Sequence, residues 1–169
     1  GNVMGSRGSV IPLFLNQLKE QKKLTITDPN MTRFLMSLDD AVDLVLFAFE
    51  NGNQGDILVQ KSPAATLQTL ADSLIDIFDS KSKIKNIGVR HGEKMHETLL
   101  TTEEMTKAED LGDYFRIKSD SRGLNYNKYF SEGNSKPIEA EYTSNSTQLL
   151  DVNELKKLLL DLPEVKDEL

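Results

Sequence analysis

Apolar side chains recur every three or four residues in several stretches of this chain, and short extended runs lie between them. Residues 9–22, SVIPLFLNQLKEQK, predict a first helix, with Pro12 tolerated only in its opening turn. LTIT (24–27) predicts a short strand, ended by the turn signal Asp28-Pro29-Asn30. MTRFLMS (31–37) is a second extended piece. Ser37 and Asp40 then read as a capping box, with Asp in place of the usual Glu, opening the helix LDDAVDLVLFAFEN. Its residues Leu38, Ala41, Val42, Val45, Ala48 and Phe49 form one stripe. Leu44, Leu46 and Phe47 widen that stripe, which predicts a deeply buried helix stopped by Gly52.

DILVQ (56–60) predicts a buried strand. Thr66 caps a helix with Leu67, Leu70, Ala71, Leu74, Ile75 and Phe78 on one face. KIKNIGV (83–89) reads as a strand, and RHGEKMHETLL (90–100) as a sharp turn entering a helix. TTEEMTKAEDLG (101–112) predicts a polar helix capped by Thr101 or Thr102, and DYFRI (113–117) an edge strand. Residues 119–147, rich in Ser, Asn, Gly and Lys, read as an extended arm. LDVNELKKLLLDL (150–162) is an amphipathic helix carrying Leu155, Leu158, Leu159 and Leu162. Helices alternate with strands through residue 100, so the fold class is α/β. The few, short strands suggest a small lobe packed on a larger sheet.

Composition narrows the function. The 169 residues suffice for one compact domain or for part of a larger one. The absence of cysteine removes disulfides and thiolate chemistry, and it fits a reducing cytoplasm. No apolar run approaches the ~20 residues of a membrane span, and no leader peptide is visible. With two histidines, no metal site is expected. The net charge of −7 argues against nucleic-acid or membrane partners, yet a few converging arginines can still hold an anionic small ligand. The opening Gly-Asn-Val reads as the middle of something, with an N-terminal half expected before it.

Three places could carry chemistry. GNVMGSRG, followed by a helix, a strand and Asp28, approaches a dinucleotide-binding fingerprint. Its spacing is G-x3-G-x2-G, no full strand precedes it, and Asp28 sits in a turn before Pro29. The simpler reading is a tight turn into a helix whose N-terminus can hold phosphate. Arg33, alternating with apolar neighbours, either pairs with a carboxylate or is held ready for an anion. Arg90 and Glu93 flank Gly92 after a strand, where open α/β sheets bind ligands. Arg90 can form a fork on phosphate and Glu93 can accept ribose hydroxyls; alternatively the two pair with each other. His91 and His96 read as surface or helix-face residues. No Ser-His-Asp set and no Tyr-x-x-x-Lys is visible.

GNVMGSRGSVIPLF, LTITDPNMTRFLMSLDDAVDLV, GVRHGEKMHETLL, AEDLGDYFRI and LNYNKYF together resemble one family. It is the extended short-chain dehydrogenase/reductase branch of nucleotide-sugar dehydratases and epimerases for bacterial surface polysaccharides. Within it, the 5-inverting UDP-N-acetylglucosamine 4,6-dehydratases, often labelled UDP-sugar epimerases, are most similar. The resemblance implies an NADP-dependent enzyme whose glycine loop and catalytic Lys and Asp precede Gly1. Residues 1–8 would then be a remnant of the Rossmann domain, 9–118 the UDP-sugar lobe, and 119–169 a C-terminal arm with its terminal helix. Asn2 matches a residue facing sugar and phosphate, and Val3 a residue beside the cofactor. Ser9 and Val10 match helix-start positions at the diphosphate, and Thr25 and Thr27 a strand beside the uracil. Arg33 and Arg90 match two diphosphate arginines, and Glu93 the ribose acceptor. No catalytic residue matches within the chain, so the piece by itself is expected to be inactive.

The cycle implied for an intact enzyme removes hydride from C4, a proton from C5 and water from C6, then returns hydride at C6 with inversion at C5. A homo-oligomer is implied, and UDP-N-acetylglucosamine or a related UDP-sugar as substrate. The alternatives are a retaining dehydratase or 4-epimerase of the same superfamily, and a non-catalytic nucleotide-sugar-binding module. Asn145, Ser146 and Gln148 depart from the residues relatives often show in the tail.

Overall fold

The structure is a computed structural model and describes residues 3–119 and 140–169. Ser9 stands at the N-cap position of helix α1 (Val10–Lys19) without a side-chain cap hydrogen bond, and Pro12 lies in its first turn. Strand β1 (Leu24–Ile26) follows, then β2 (Thr32–Phe34) and helix α2 (Leu38–Asn51). Next come β3 (Ile57–Gln60), β4 (Ala64–Thr66) and α3 (Leu67–Ile77). After β5 (Ile84–Asn86) and β6 (Thr98–Leu100) come α4 (Thr102–Lys107), β7 (Ala108–Asp110) and β8 (Tyr114–Ile117). The last elements are β9 (Tyr142–Thr143), α5 (Val152–Asp161) and α6 (Pro163–Lys166). The chain is mixed α/β, as its alternating pattern predicts.

The described strands form small sheets. β1 and β5 are parallel, β2 pairs antiparallel with β4, and β6 with β9. β3, β8 and β7 make an antiparallel three-stranded sheet. The main core packs α1, α3 and α5 around β1, burying Phe14, Leu24, Leu74, Leu155 and Leu159 completely. Each such side chain contributes ~1.5–3 kcal/mol of burial. A smaller cluster of Leu100, Met105 and Ile117 gathers β6, α4 and β8.

Local capping follows the sequence. Ser37 and Asp40 form their reciprocal box, Thr66 accepts from the Thr69 N–H, and Asp151 and Glu154 cap α5. Gly52 does end α2, but in extended backbone at φ −83° rather than a left-handed cap.

Six expectations need correction. The strand expected to be buried at DILVQ forms as β3, but none of its residues is buried and Ile57 is 54% exposed, because β3 lies at the edge of its three-stranded sheet. The stripe on α2 is real, but none of its residues is buried among the described residues, and Phe49 is 83% exposed. Helical spacing reveals an apolar face without showing what covers it; among the described residues β3 packs on this helix, Phe47 stacks on Tyr114, 4.0 Å between centroids, and Arg116 donates to the Asn51 carbonyl. Residues 90–100 form turns and β6 instead of a helix. Gly92 adopts φ +80°, and the carbonyls of Lys94 and Met95 accept from Arg33 and Thr32 rather than from a following helical turn. The polar helix stops at Lys107, because Ala108–Asp110 pairs with β8 and Glu109 faces Arg116 across the ladder. β8 is therefore the central strand of its sheet and not an edge. The strand predicted over 83–89 shortens to Ile84–Asn86, ended by the turn at Gly88, φ +84°. Most of the predicted arm, with LNYNKYF, lies outside the described residues.

Candidate functional site

One cavity of about 280 Å³ opens where the N-terminus of α1, β1, β2 and the turn at residues 90–93 meet. Val3, Ser9, Val10, Thr25, Thr27, Arg33, Arg90 and Glu93 all line it, so one site gathers residues spread over ninety positions of sequence. Asn2 lies outside the described residues.

The α1 end of the cavity presents free donors. The first N–H groups of a helix have no intrahelical acceptor, and those of Val10 and Ile11 find no backbone partner among the described residues. Among the described residues the Ser9 hydroxyl makes no cap hydrogen bond, and its buried oxygen has no hydrogen-bond partner. The helix dipole adds partial positive charge at the same end. Arg90 is exposed, and its guanidinium makes no ion pair or hydrogen bond among the described residues. A buried hydroxyl, a helix start and an exposed guanidinium line one hollow, a set of donors whose chemistry suits an anion.

Arg33 is committed differently. Its Nη1 donates to the carbonyls of Thr32 (2.7 Å) and Met95 (3.3 Å), its Nη2 to that of Lys94 (2.9 Å) and to Met31 Sδ (2.9 Å). Its Nε lies 3.5 Å from Glu97. The ion pair and the cavity position, alternatives in the sequence, therefore coexist: Arg33 borders the hollow with every nitrogen engaged. Arg90 and Glu93 do not pair through their side chains. The Glu93 carboxylate instead accepts from the Arg90 N–H at 3.2 Å, closing the turn.

The β1 wall is more apolar. Gln17 of α1 fixes Thr25 twice, donating to its hydroxyl at 2.8 Å and accepting from its N–H at 3.0 Å. The Thr27 hydroxyl is nearly buried and points to Met31 Sδ. Met31, Phe34 and Ile87 also line the cavity and were not singled out from sequence. Met31 and Leu35 share the Arg33 face of an extended run, so the period-two pattern of MTRFLMS carried that signal.

The described residues do not form a dinucleotide cradle around the glycines. A Cβ added at Gly5 would sit 2.6 Å from Glu164 Oε2, so it is a carboxylate, which repels phosphate, that packs against this glycine. No group of three or more metal-ligating side chains stands together among the described residues. No helix among them is long and apolar enough to cross a membrane. A larger hollow of about 620 Å³ between Leu18, Phe78 and Lys81 includes Lys19, which is already paired with Glu168.

Comparison with known proteins matches the chain to a family. A family model described as "Polysaccharide biosynthesis protein" matches residues 1–119, and "Polysaccharide biosynthesis protein C-terminal" matches 120–166. Proteins named UDP-glucose 4-epimerase from Rickettsia massiliae (strain Mtu5) and Rickettsia rickettsii (strain Sheila Smith) are each 62% identical over 170 residues. The alignments cover all of this chain and 50% of theirs, so the chain spans about half the length of these relatives. The X-ray structure of Pen from Bacillus thuringiensis superposes on 96% of the chain and 47% of its own, with a TM-score of 0.75 and 38% identity.

Proposed function

The chain belongs to the polysaccharide biosynthesis protein family, and from that premise we propose that it is the UDP-sugar-binding lobe of a nucleotide-sugar-modifying enzyme. The reaction we assign is 5-inverting 4,6-dehydration of UDP-N-acetylglucosamine, for capsule or O-antigen synthesis. The observation that carries the reading is the uncommitted Arg90 facing the free donors of Ser9 and Val10 across one cavity.

In this account the diphosphate lies between the start of α1 and Arg90, with Arg33 a fixed positive charge at its edge. Glu93 accepts the ribose hydroxyls, and the uracil lies along Thr25 and Thr27. Asn2 faces the sugar. Residues 9–118 make up the lobe, and residues 119–169 the tail. Binding energy gathered on this remote part of the substrate positions the sugar for chemistry performed elsewhere. No catalytic residue is assigned to this chain. NADP, which supplies redox chemistry in such enzymes, does not fit the described residues around Gly5; we assign it to a companion domain that Val3 adjoins, and the assembled enzyme to a homo-oligomer working in the cytoplasm.

A second reading, 4-epimerisation, is favoured by the printed name of the Rickettsia relatives. Two measurements test the proposal. Calorimetric titration with UDP should show Arg90→Ala binding roughly 10- to 100-fold more weakly, the range of a lost charge-assisted hydrogen bond. Equal affinity would return Arg90 to a surface role. NMR analysis of the product made by the assembled enzyme separates inversion at C5 from inversion at C4.

A further inference from the structure

The turn that carries Arg90 and Glu93 is short of its own support. Both are joined mainly by the Glu93–Arg90 contacts within the turn, and Gly88 and Gly92 on either side of Arg90 both take left-handed backbone. Immediately after Glu93 the picture reverses. Residues 94–97 are gripped from two sides by strands distant in sequence.

One side is β2. The Thr32 N–H donates to the Met95 carbonyl at 3.0 Å, and Arg33 donates to the carbonyls of Lys94 and Met95 and pairs with Glu97. The other side is Ser144, immediately after β9. Its N–H donates to the Glu97 carbonyl at 2.8 Å, and its hydroxyl accepts from the Glu97 N–H at 2.8 Å. The two sides are joined: the Thr32 hydroxyl stands 2.6 Å from the Ser144 hydroxyl and 2.8 Å from His96 Nδ1, and Ser144 Oγ also reaches the Thr32 carbonyl at 3.2 Å. Thr32 is 2% exposed and Ser144 fully buried. Two buried hydroxyls, 112 residues apart, thus share one knot of hydrogen bonds around a four-residue segment. Such groups cannot be replaced by solvent, and losing one leaves others unpaired.

We propose that Thr32 and Ser144 are positioning residues for the anion site: through residues 94–97 they hold the Arg90–Glu93 turn against the start of α1. The tail of the chain, through Ser144, is thereby a structural part of the ligand pocket while lying outside its wall. This inference rests on the nucleotide-binding reading above and adds to it the residues that set its geometry.

The test uses the whole chain, UDP as probe, and Thr32→Val, which keeps the shape and removes the hydroxyl, beside Thr32→Ser, which restores it. Arg90→Ala is the reference, and Ser144→Ala the second variant should Thr32→Val not fold. Thr32→Val should speed amide exchange at Glu97 and across residues 88–94 at least tenfold. It should also weaken UDP about tenfold while the protein still melts cooperatively, and Thr32→Ser should recover most of both. Unchanged exchange in Thr32→Val overturns the proposal. So does faster exchange with unchanged UDP affinity while Arg90→Ala binds weakly. If Arg90→Ala too binds UDP as the parent does, the nucleotide reading itself fails, and the positioning role fails with it.

Discussion

Replacing Gly92 by alanine isolates the backbone of the turn proposed to hold an anion. Gly92 lies between Arg90 and Glu93 at φ +80°, and an added Cβ would meet no atom within 4 Å. The cost is therefore conformational alone, about 1–2 kcal/mol for an L-residue held in the left-handed region. The turn is exposed and carries no core side chain, so the free protein can relax it locally. Its melting temperature should then move by less than about 4 °C. The bound state cannot relax in that way if Arg90 and Glu93 must converge on one ligand. At about 1.4 kcal/mol per tenfold, UDP affinity measured by calorimetry should fall roughly 5- to 30-fold. Gly92→Asn, which tolerates this backbone better, should lie between the two. Alanine binding as tightly as glycine would refute the claim that the turn is held in this shape for its ligand.

Further outcomes follow from the same structure. Leu159→Ala, emptying a fully buried site in α5, should cost about 2–5 kcal/mol and lower the melting temperature by several degrees, whereas the partly exposed neighbour Leu160→Ala should change it little. On α2, Phe49→Asp should alter stability by less than about 0.5 kcal/mol while reducing self-association in sedimentation experiments, since Phe49 is exposed among other apolar side chains. Acid should destabilise the three-stranded sheet. The Asn53 N–H, with those of Ser119 and the charge of Arg116, holds the Asp56 carboxyl below its usual range, and hydrogen bonds from Arg116 and Lys118 do the same to Glu109. Depressed values mean a stabilisation present above the ordinary carboxylate range and lost as pH falls through them. Thermal midpoints should thus be flat from about pH 6 to 8 and drop below about pH 4, with Arg116→Met flattening that drop.

Local chemistry made much of this fold readable. The Ser37–Asp40 box, the Thr66 cap and the leucines of α5 need only neighbours in sequence, and each lies where its pattern predicts. The turn to β6 was hidden because its deciding partners, Thr32, Arg33 and Ser144, lie 47 to 64 residues away. β7 escaped for the same reason: Ala108–Asp110 has a polar helical look until β8 offers a ladder. The apolar face of α2 was legible as a face, but spacing has no information about its partner. At the site, Ser9 came only from the family resemblance, whereas Arg33, Arg90 and Glu93 stood out by residue type and place after turns or strands. The engagement of Arg33 by carbonyls did not, because backbone acceptors leave no mark in a sequence.

The central claim is that an anionic nucleotide binds between the start of α1 and the Arg90 turn. Amide NMR during titration of the chain with UDP tests it most directly. The account predicts that the largest shifts fall on Ser9, Val10, Ile11, Arg90 and Glu93, saturating together. Shifts confined to the hollow around Leu18, Phe78 and Lys81, or no shifts with UDP in excess, would contradict it.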